Sequence, residues 1–250
     1  MEVHHHPHVE KKSFKEYLLE GLMIFLAVSM GFIAENIREH FTEKRLRVEY
    51  VESFYEDLKT DTARIVEIIN FDQQKLNALK NMGMLYDSIE QKQTLPTTMR
   101  NLIKSTSFSR PFTISEKTIK QLASTGAFRL LDKEDADSIT KYEISFNTLN
   151  DFQLSSFHEA QVAVRNTLQQ IVKFKYFFEV RQDTKVGLIP NNEIESVVSP
   201  FLGNTVDIDK YFNQLLEYNS VISAHQRILK CLEQNQISLI RYFKNKYHLE

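Results

Sequence analysis

Residues 14–38 read FKEYLLEGLMIFLAVSMGFIAENIR, and the fourteen residues from Gly21 to Ala34 carry no charge. As a helix that run reaches only about 21 Å at 1.5 Å per residue, short of the roughly 30 Å hydrocarbon core of a bilayer. The flanks complete the span. Phe14, Tyr17, Leu18 and Leu19 extend it upstream, Ile37 carries it downstream beyond Phe32 and Ile33 at its end, and Lys11, Lys12, Lys15 and Arg38 can snorkel to the two interfaces. Three readings compete: an uncleaved transmembrane anchor, a cleaved signal peptide, and a buried helix of a soluble protein. Basic residues ahead of an apolar run, with Ala27 and Ser29 spaced as at a cleavage site, suit the signal peptide. Glu20 inside the run, and a helical pattern that continues through FIAENIREHF without a turn signal, favour the anchor.

Projected at 100° per residue, Glu20, Ala27, Gly31, Ala34 and Arg38 share one narrow face of this helix. Ala27 and Gly31 form a small-xxx-small pair that lets a second helix approach closely, and an acidic residue near a membrane usually faces a partner or water. That face is the expected membrane helix-contact surface, in a homo-oligomer or with other membrane proteins. The plainer reading stands beside it: Gly and Ala are frequent in such helices, and Glu20 sits at headgroup level. Lys11, Lys12 and Lys15 on one side nearly balance Arg38, Lys44, Arg45 and Arg47 on the other. Charge therefore sets orientation weakly, and the expected topology is a short amino-terminal tail inside with the large domain outside.

The remainder of the 250 residues is ordinary in composition: 31 basic and 33 acidic side chains give a net charge of -2, which excludes a strongly basic nucleic-acid binder. Mean hydropathy is -0.35, an average that hides the apolar segment. Only six glycines and five prolines occur, too few for a turn-rich β-sandwich or Rossmann domain. The expected fold class is all-α: a transmembrane helix followed by an antiparallel bundle of long helices, divided as tail 1–13, anchor 14–38 and helical domain 39–250.

Helical periodicity fills in that bundle. From Val51 a seam runs through Tyr55, Leu58, Thr62, Ile65, Ile69, Leu76 and Leu79, widened by Phe54 and Ile68 and interrupted by Asp72. The anchor and this helix are expected to run on as one, ending near Asn81 to Gly83 or by Pro96. Thr113 and Glu116 in TISE read as a capping box for a short helix that ends at Gly126. Asp132 caps a second long helix that buries Ile139, Tyr142, Phe146, Leu149, Phe157, Ala160, Val164, Leu168, Ile171 and Phe178 and stops near Arg181. KVGLIPNN and SPFLGN read as turns around a short helix, NEIESVV. A final helix starts near Asp207 and carries Ile208, Tyr211, Leu215, Val221, Ile222, Ile228, Leu229, Leu232, Ile237, Leu239, Ile240 and Phe243. Arg241, Lys244, Lys246 and His248 in its last turns complement the helix dipole.

Chemistry-bearing motifs are few. His4, His5, His6 and His8, bracketed by Glu2 and Glu10, offer ligands that suit zinc, copper or nickel, but a tail without preformed geometry reads more plainly as solvated and pH-sensitive. His158 and Glu159 begin like a zinc-protease helix, yet Val162 stands where the second histidine must fall. His225 and Cys231 do not share a helix face, and Cys231 is expected to be packed. Glu56, Asp57, Asp61 and the acidic run from Asp132 to Asp137 read as helix starts and solvated faces. The aromatic run from Lys173 to Arg181 reads as a buried helix end or an interface. With no GxSxG, P-loop or GxGxxG sequence, no catalytic residue and no cofactor is expected.

The stretch HHHPHVEKKSFKEYLLEGLMIFLAVSMGFIAENIREHF, with EYVESFYEDLKTDT after it, resembles the start of an uncharacterised family of single-span membrane proteins of Bacteroidota. KQLASTGAFRLLDKEDADSITKY is similar to a helix, Ser-x-Gly turn and helix junction in related anchored families of that phylum. The resemblance implies a native histidine-rich start and an uncleaved anchor in a bacterial inner membrane. The expected function is a non-enzymatic scaffold, accessory subunit or sensor of an envelope complex. Two other readings remain: a small-ligand sensor with a pocket among Phe146, Phe157 and Tyr176, or an enzyme of unrecognised type.

Overall fold

No proline interrupts the chain between Pro7 and Pro96, and the first helix uses most of that stretch: α1 runs unbroken over Phe14–Leu79. The computed structural model describes residues 13–90, Leu102, Ile103, Thr106, and residues 108–172 and 205–250. A tightened turn, with the Asn81 amide on the Ala78 carbonyl, ends α1, and α2 follows over Met82–Glu90. The helical stretch thus bends near Asn81, as the NMG sequence suggests, and then continues to Glu90. α3 spans Lys117–Thr125 and stops at Gly126, whose φ of 67° is a left-handed cap that glycine adopts without a Cβ clash. After a 3₁₀ turn at Ala127–Leu130, α4 runs over Lys133–Phe152, a π turn over Gln153–Phe157, and α5 over His158–Ile171. The last helix, α6, spans Thr205–Tyr247. The fold is all-α, and no β-strand occurs among the described residues.

Two compact units divide the chain, Met1–Tyr50 and Val51–Glu250. In the first, the apolar stretch of α1 is exposed throughout: Leu22, Ile24, Phe25, Leu26, Phe32 and Ile33 are all at least half accessible. The second has a core of its own. As residue numbers rise along α1 and α2, those of their partners fall: Tyr55 bonds Glu250, Asp72 meets His225, Lys75 bonds Tyr218, and Tyr86 bonds Asp209. α1 and α6 therefore run in opposite directions in this unit. α4, the π turn and α5 all pack on α6, and Phe54 sits edge-on between Tyr142 of α4 and Phe243 of α6. Each such fully buried aliphatic or aromatic side chain stabilises the fold by roughly 1.5 to 3 kcal/mol.

The π turn has a reason in the apolar pattern. Leu149 and Phe157 are eight residues apart, which in a straight α-helix leaves them about 80° out of line. A wider turn takes up part of that angle, so that Leu149, Gln153 and Phe157 are all buried on the core side.

Several expectations need correction. α3 starts at Lys117 with Glu116 as its N-cap residue, and that side chain makes no cap bond, so the TISE box does not form. Glu116 instead pairs with Lys120. Asp132 stands at the N-cap of α4 as expected, but its side chain bonds no helix amide and pairs with Lys246 instead. Cys231 is exposed rather than packed, because it lies on the outer side of α6, next to buried Leu232. The second long helix does not run straight but passes through the π turn. The expected turns and short helix from Lys185 to Asn204, the aromatic run with Phe178, and the histidine tail lie outside the described residues.

Candidate functional site

Unit two places charged side chains where periodicity calls for apolar ones. Asp61, Asp72 and Lys75 of α1 are each about 1% exposed, as deep as Leu58 or Ile65 on the same seam. An isolated charge at that depth is costly, so each must find partners.

Asp61 finds them at the start of α3. It accepts the Ser115 amide at 2.9 Å, the Ser115 hydroxyl at 2.8 Å and the Tyr142 hydroxyl at 2.9 Å. One turn earlier, Asp57 accepts the amide and hydroxyl of Thr118 at 3.2 and 2.6 Å. Two carboxylates from α1 thus satisfy the free amides that the local sequence leaves open. Burial raises the pKa of Asp61, against the pull of the Ser115 and Tyr142 bonds, and burial followed by the Asp61 charge raises that of Tyr142. Asp135 of α4 is equally buried and takes three donors from the end of α6: Tyr242 at 2.8 Å, Lys246 at 2.8 Å and Tyr247 at 2.6 Å. Asp61 and Asp135 are therefore not on solvated faces; Glu56, paired with Lys59, is.

The third cluster lies at the middle of the unit. Asp72 Oδ2 meets His225 Nδ1 at 2.6 Å, and His225 Nε2 meets Gln153 Oε1 at 3.1 Å. The His225 ring lies nearly parallel to Phe152 and 4.6 Å from Phe157. Gln153 is clamped at both ends: its Oε1 accepts the Phe112 amide at 2.7 Å and its Nε2 donates to the Phe112 carbonyl at 3.1 Å. Lys75 Nζ donates to the Tyr218 hydroxyl at 3.0 Å and lies over the rings of Phe71, Phe157 and Tyr218. Burial pushes its pKa down from 10.5 to about 8, with the Asp72 charge acting in the other direction. None of these side chains is open to a substrate as the core stands. Sequence reasoning took Asp72 as a break in the seam, weighed His225 only against Cys231, and passed over Lys75 and Gln153; the one available signal was their place at 3-and-4 spacing among apolar neighbours.

In unit one, Glu20, Ala27, Gly31, Ala34 and Arg38 all stand exposed on α1, and a Cβ added at Gly31 would meet no atom within 4 Å. Arg38 is tied along its own helix to Glu35. Phe146 packs on Phe112 and Phe157 on His225 and Tyr218, while Tyr176 is outside the described residues. An open groove of about 450 Å³ lies elsewhere, between α4 and α6, lined by Ser138, Lys141, Ser145, Asn235 and Ser238 among others. No group of three metal-ligating side chains occurs among the described residues.

Comparison with models of protein families, with curated proteins and with solved structures finds no match. Chemistry and geometry alone carry the functional reading.

Proposed function

We propose that this chain is a non-enzymatic, membrane-anchored helical protein, a scaffold, accessory subunit or sensor in a bacterial envelope complex. The supporting observation is the exposed stretch of α1, which is long and apolar enough to cross a membrane and has none of its residues buried. A helix at the centre of a soluble domain would have its apolar face covered, and α1 meets that condition only from Val51 onward. The second unit, by contrast, spends its buried charges on joining its own helices, as expected of a part that presents a fixed shape. The resemblance of the first sixty or so residues to single-span membrane proteins of Bacteroidota fits the same reading, with the tail cytoplasmic and the larger unit periplasmic.

Glu20, Ala27, Gly31, Ala34 and Arg38 form the proposed contact face within the membrane. Affinity purification from native membranes is expected to bring down a second copy or other membrane proteins, and Gly31→Leu is expected to weaken crosslinking because its side chain holds the helices apart. Crosslinking that Gly31→Leu leaves unchanged removes the face from the proposal. Extraction of the whole protein by alkaline wash removes the anchor.

A further inference from the structure

The hydrogen-bond pattern around His225 contains a count of protons. Gln153 cannot be turned end for end, because its Oε1 faces the Phe112 amide and its Nε2 the Phe112 carbonyl, and a flip would set donor against donor and acceptor against acceptor. The atom facing His225 Nε2 is therefore an acceptor, and the contact at 3.1 Å requires Nε2 to carry a proton. The atom facing Nδ1 is a carboxylate oxygen at 2.6 Å, at or just under the short end of charge-assisted N–H···O bonds, so a proton lies between the two atoms. With Asp72 ionised, a neutral ring with one proton satisfies only one of these contacts and turns a lone pair towards an oxygen at the other.

We propose that Asp72 and His225 form a buried carboxylate–imidazolium pair, and that the proton on Nε2 is a latch whose release frees the Gln153–Phe112 clamp. The latch joins four pieces of the chain: α1 through Asp72, α6 through His225, the π turn through Gln153, and the segment leading into α3 through Phe112. With the proton present, His225 donates in both directions and its charge faces the rings of Phe152 and Phe157, an arrangement that suits a cation. With it removed, Nε2 and Gln153 Oε1 present lone pairs to each other, and the amide can keep both Phe112 bonds only by holding that contact. The titratable groups facing this site are Asp72 and Lys75 of α1 and the neutral Tyr218 of α6; Arg110 lies over the Phe71 ring. The π turn and Phe112 bring no titratable side chain. Lys75 also lies over the Phe157 ring, and the Asp72 carboxylate that meets His225 acts on the Lys75 charge as well. Loss of the Lys75 proton removes a neighbouring cation and tightens the pair, whereas loss of the His225 proton opens the latch.

The test uses the full-length protein in detergent micelles with ¹⁵N-labelled histidine, the His225 signals being assigned by their absence in His225→Gln. At about pH 6 to 7, where an ordinary histidine is losing its proton, both ring nitrogens of His225 are expected to carry protons. On titration towards about pH 10, loss of the second proton is expected to coincide with about tenfold faster hydrogen exchange in the peptide containing Phe112, after correction for the intrinsic effect of pH. A His225 ring carrying a single proton at about pH 6 overturns the assignment. Exchange at Phe112 that stays level while the second proton leaves overturns the latch. Both readings are taken on the unmodified protein, and His225→Gln serves only to assign the signals.

Discussion

Lys75 is the residue whose burial has the clearest thermodynamic consequence. Its Nζ is held by the Tyr218 hydroxyl and three ring faces rather than by a carboxylate of its own, and burial lowers its pKa from 10.5 to about 8. A lysine with a depressed pKa destabilises the fold when charged. That penalty is present in full below about pH 8, where folded and unfolded chains both bind the proton, and is relieved as pH rises towards 10.5, where the unfolded chain still holds a proton that the folded chain has released. The shift corresponds to about 3 kcal/mol. Lys75→Met keeps the apolar stem and removes the titration. Chemical denaturation of both proteins across this range is expected to show the wild type gaining about 3 kcal/mol relative to Lys75→Met, and parallel curves would show that Lys75 is not desolvated. Asp72 has the opposite role, as the buried carboxylate that meets His225 and whose charge favours the protonated form of Lys75, and Asp72→Ala is expected to lower stability by about 3 to 5 kcal/mol in the same assay at neutral pH.

Among the elements, α3 is short, and its start is held from a distance. Glu116 leaves the first amides of α3 without a side-chain cap; Asp57 of α1 accepts the Thr118 amide in the first turn, and Asp61 accepts the Ser115 amide just ahead of it. Asp57→Ala is expected to lower stability by about 1 kcal/mol, the usual value of a lost cap, and Asp61→Ala by about 3 kcal/mol because Ser115 and Tyr142 lose a buried acceptor as well. Asp61→Asn keeps an acceptor oxygen and should lose less than half as much, and thermal unfolding of the three variants orders them. The same element shows what a sequence can and cannot disclose. Apolar spacing identified every expected core position of α4 and α5 from Ile139 to Ile171, because a row of large apolar residues at 3-and-4 spacing has one favourable orientation in water. The Gly126 cap was also legible, since the backbone there requires what glycine allows. The carboxylates were not, because a charged side chain reads as solvated unless its partner is known. Ser115 is 54 residues from Asp61, and His225 is 153 from Asp72. The TISE box misled for the same reason: a local cap was available, and a tertiary one displaced it.

For the whole molecule, the two units differ in what their apolar side chains meet. The second satisfies its apolar seam and its buried charges internally, whereas the first carries a helical stretch from Phe14 to Phe41 whose large apolar side chains face outward. If that stretch is a membrane span, its stability depends on lipid and that of the second unit does not. Arginine at a helix centre lowers membrane insertion by about 2.5 to 3.5 kcal/mol, so the double substitution Ile24→Arg, Leu26→Arg opposes insertion by about twice that. Ile24 is 66% and Leu26 50% exposed, and neither belongs to the core of the second unit. The expected outcome has two parts. The double variant should pass from the membrane pellet into the alkaline-soluble fraction, and the unfolding free energy of its second unit should stay within about 0.5 kcal/mol of the parent, as for surface changes remote from any packed group. Unchanged sedimentation with membranes removes the span. A release accompanied by a drop in unfolding free energy of several kcal/mol would mean that the apolar stretch is covered by protein, and that the exposed face of α1 belongs to an assembly rather than to a bilayer.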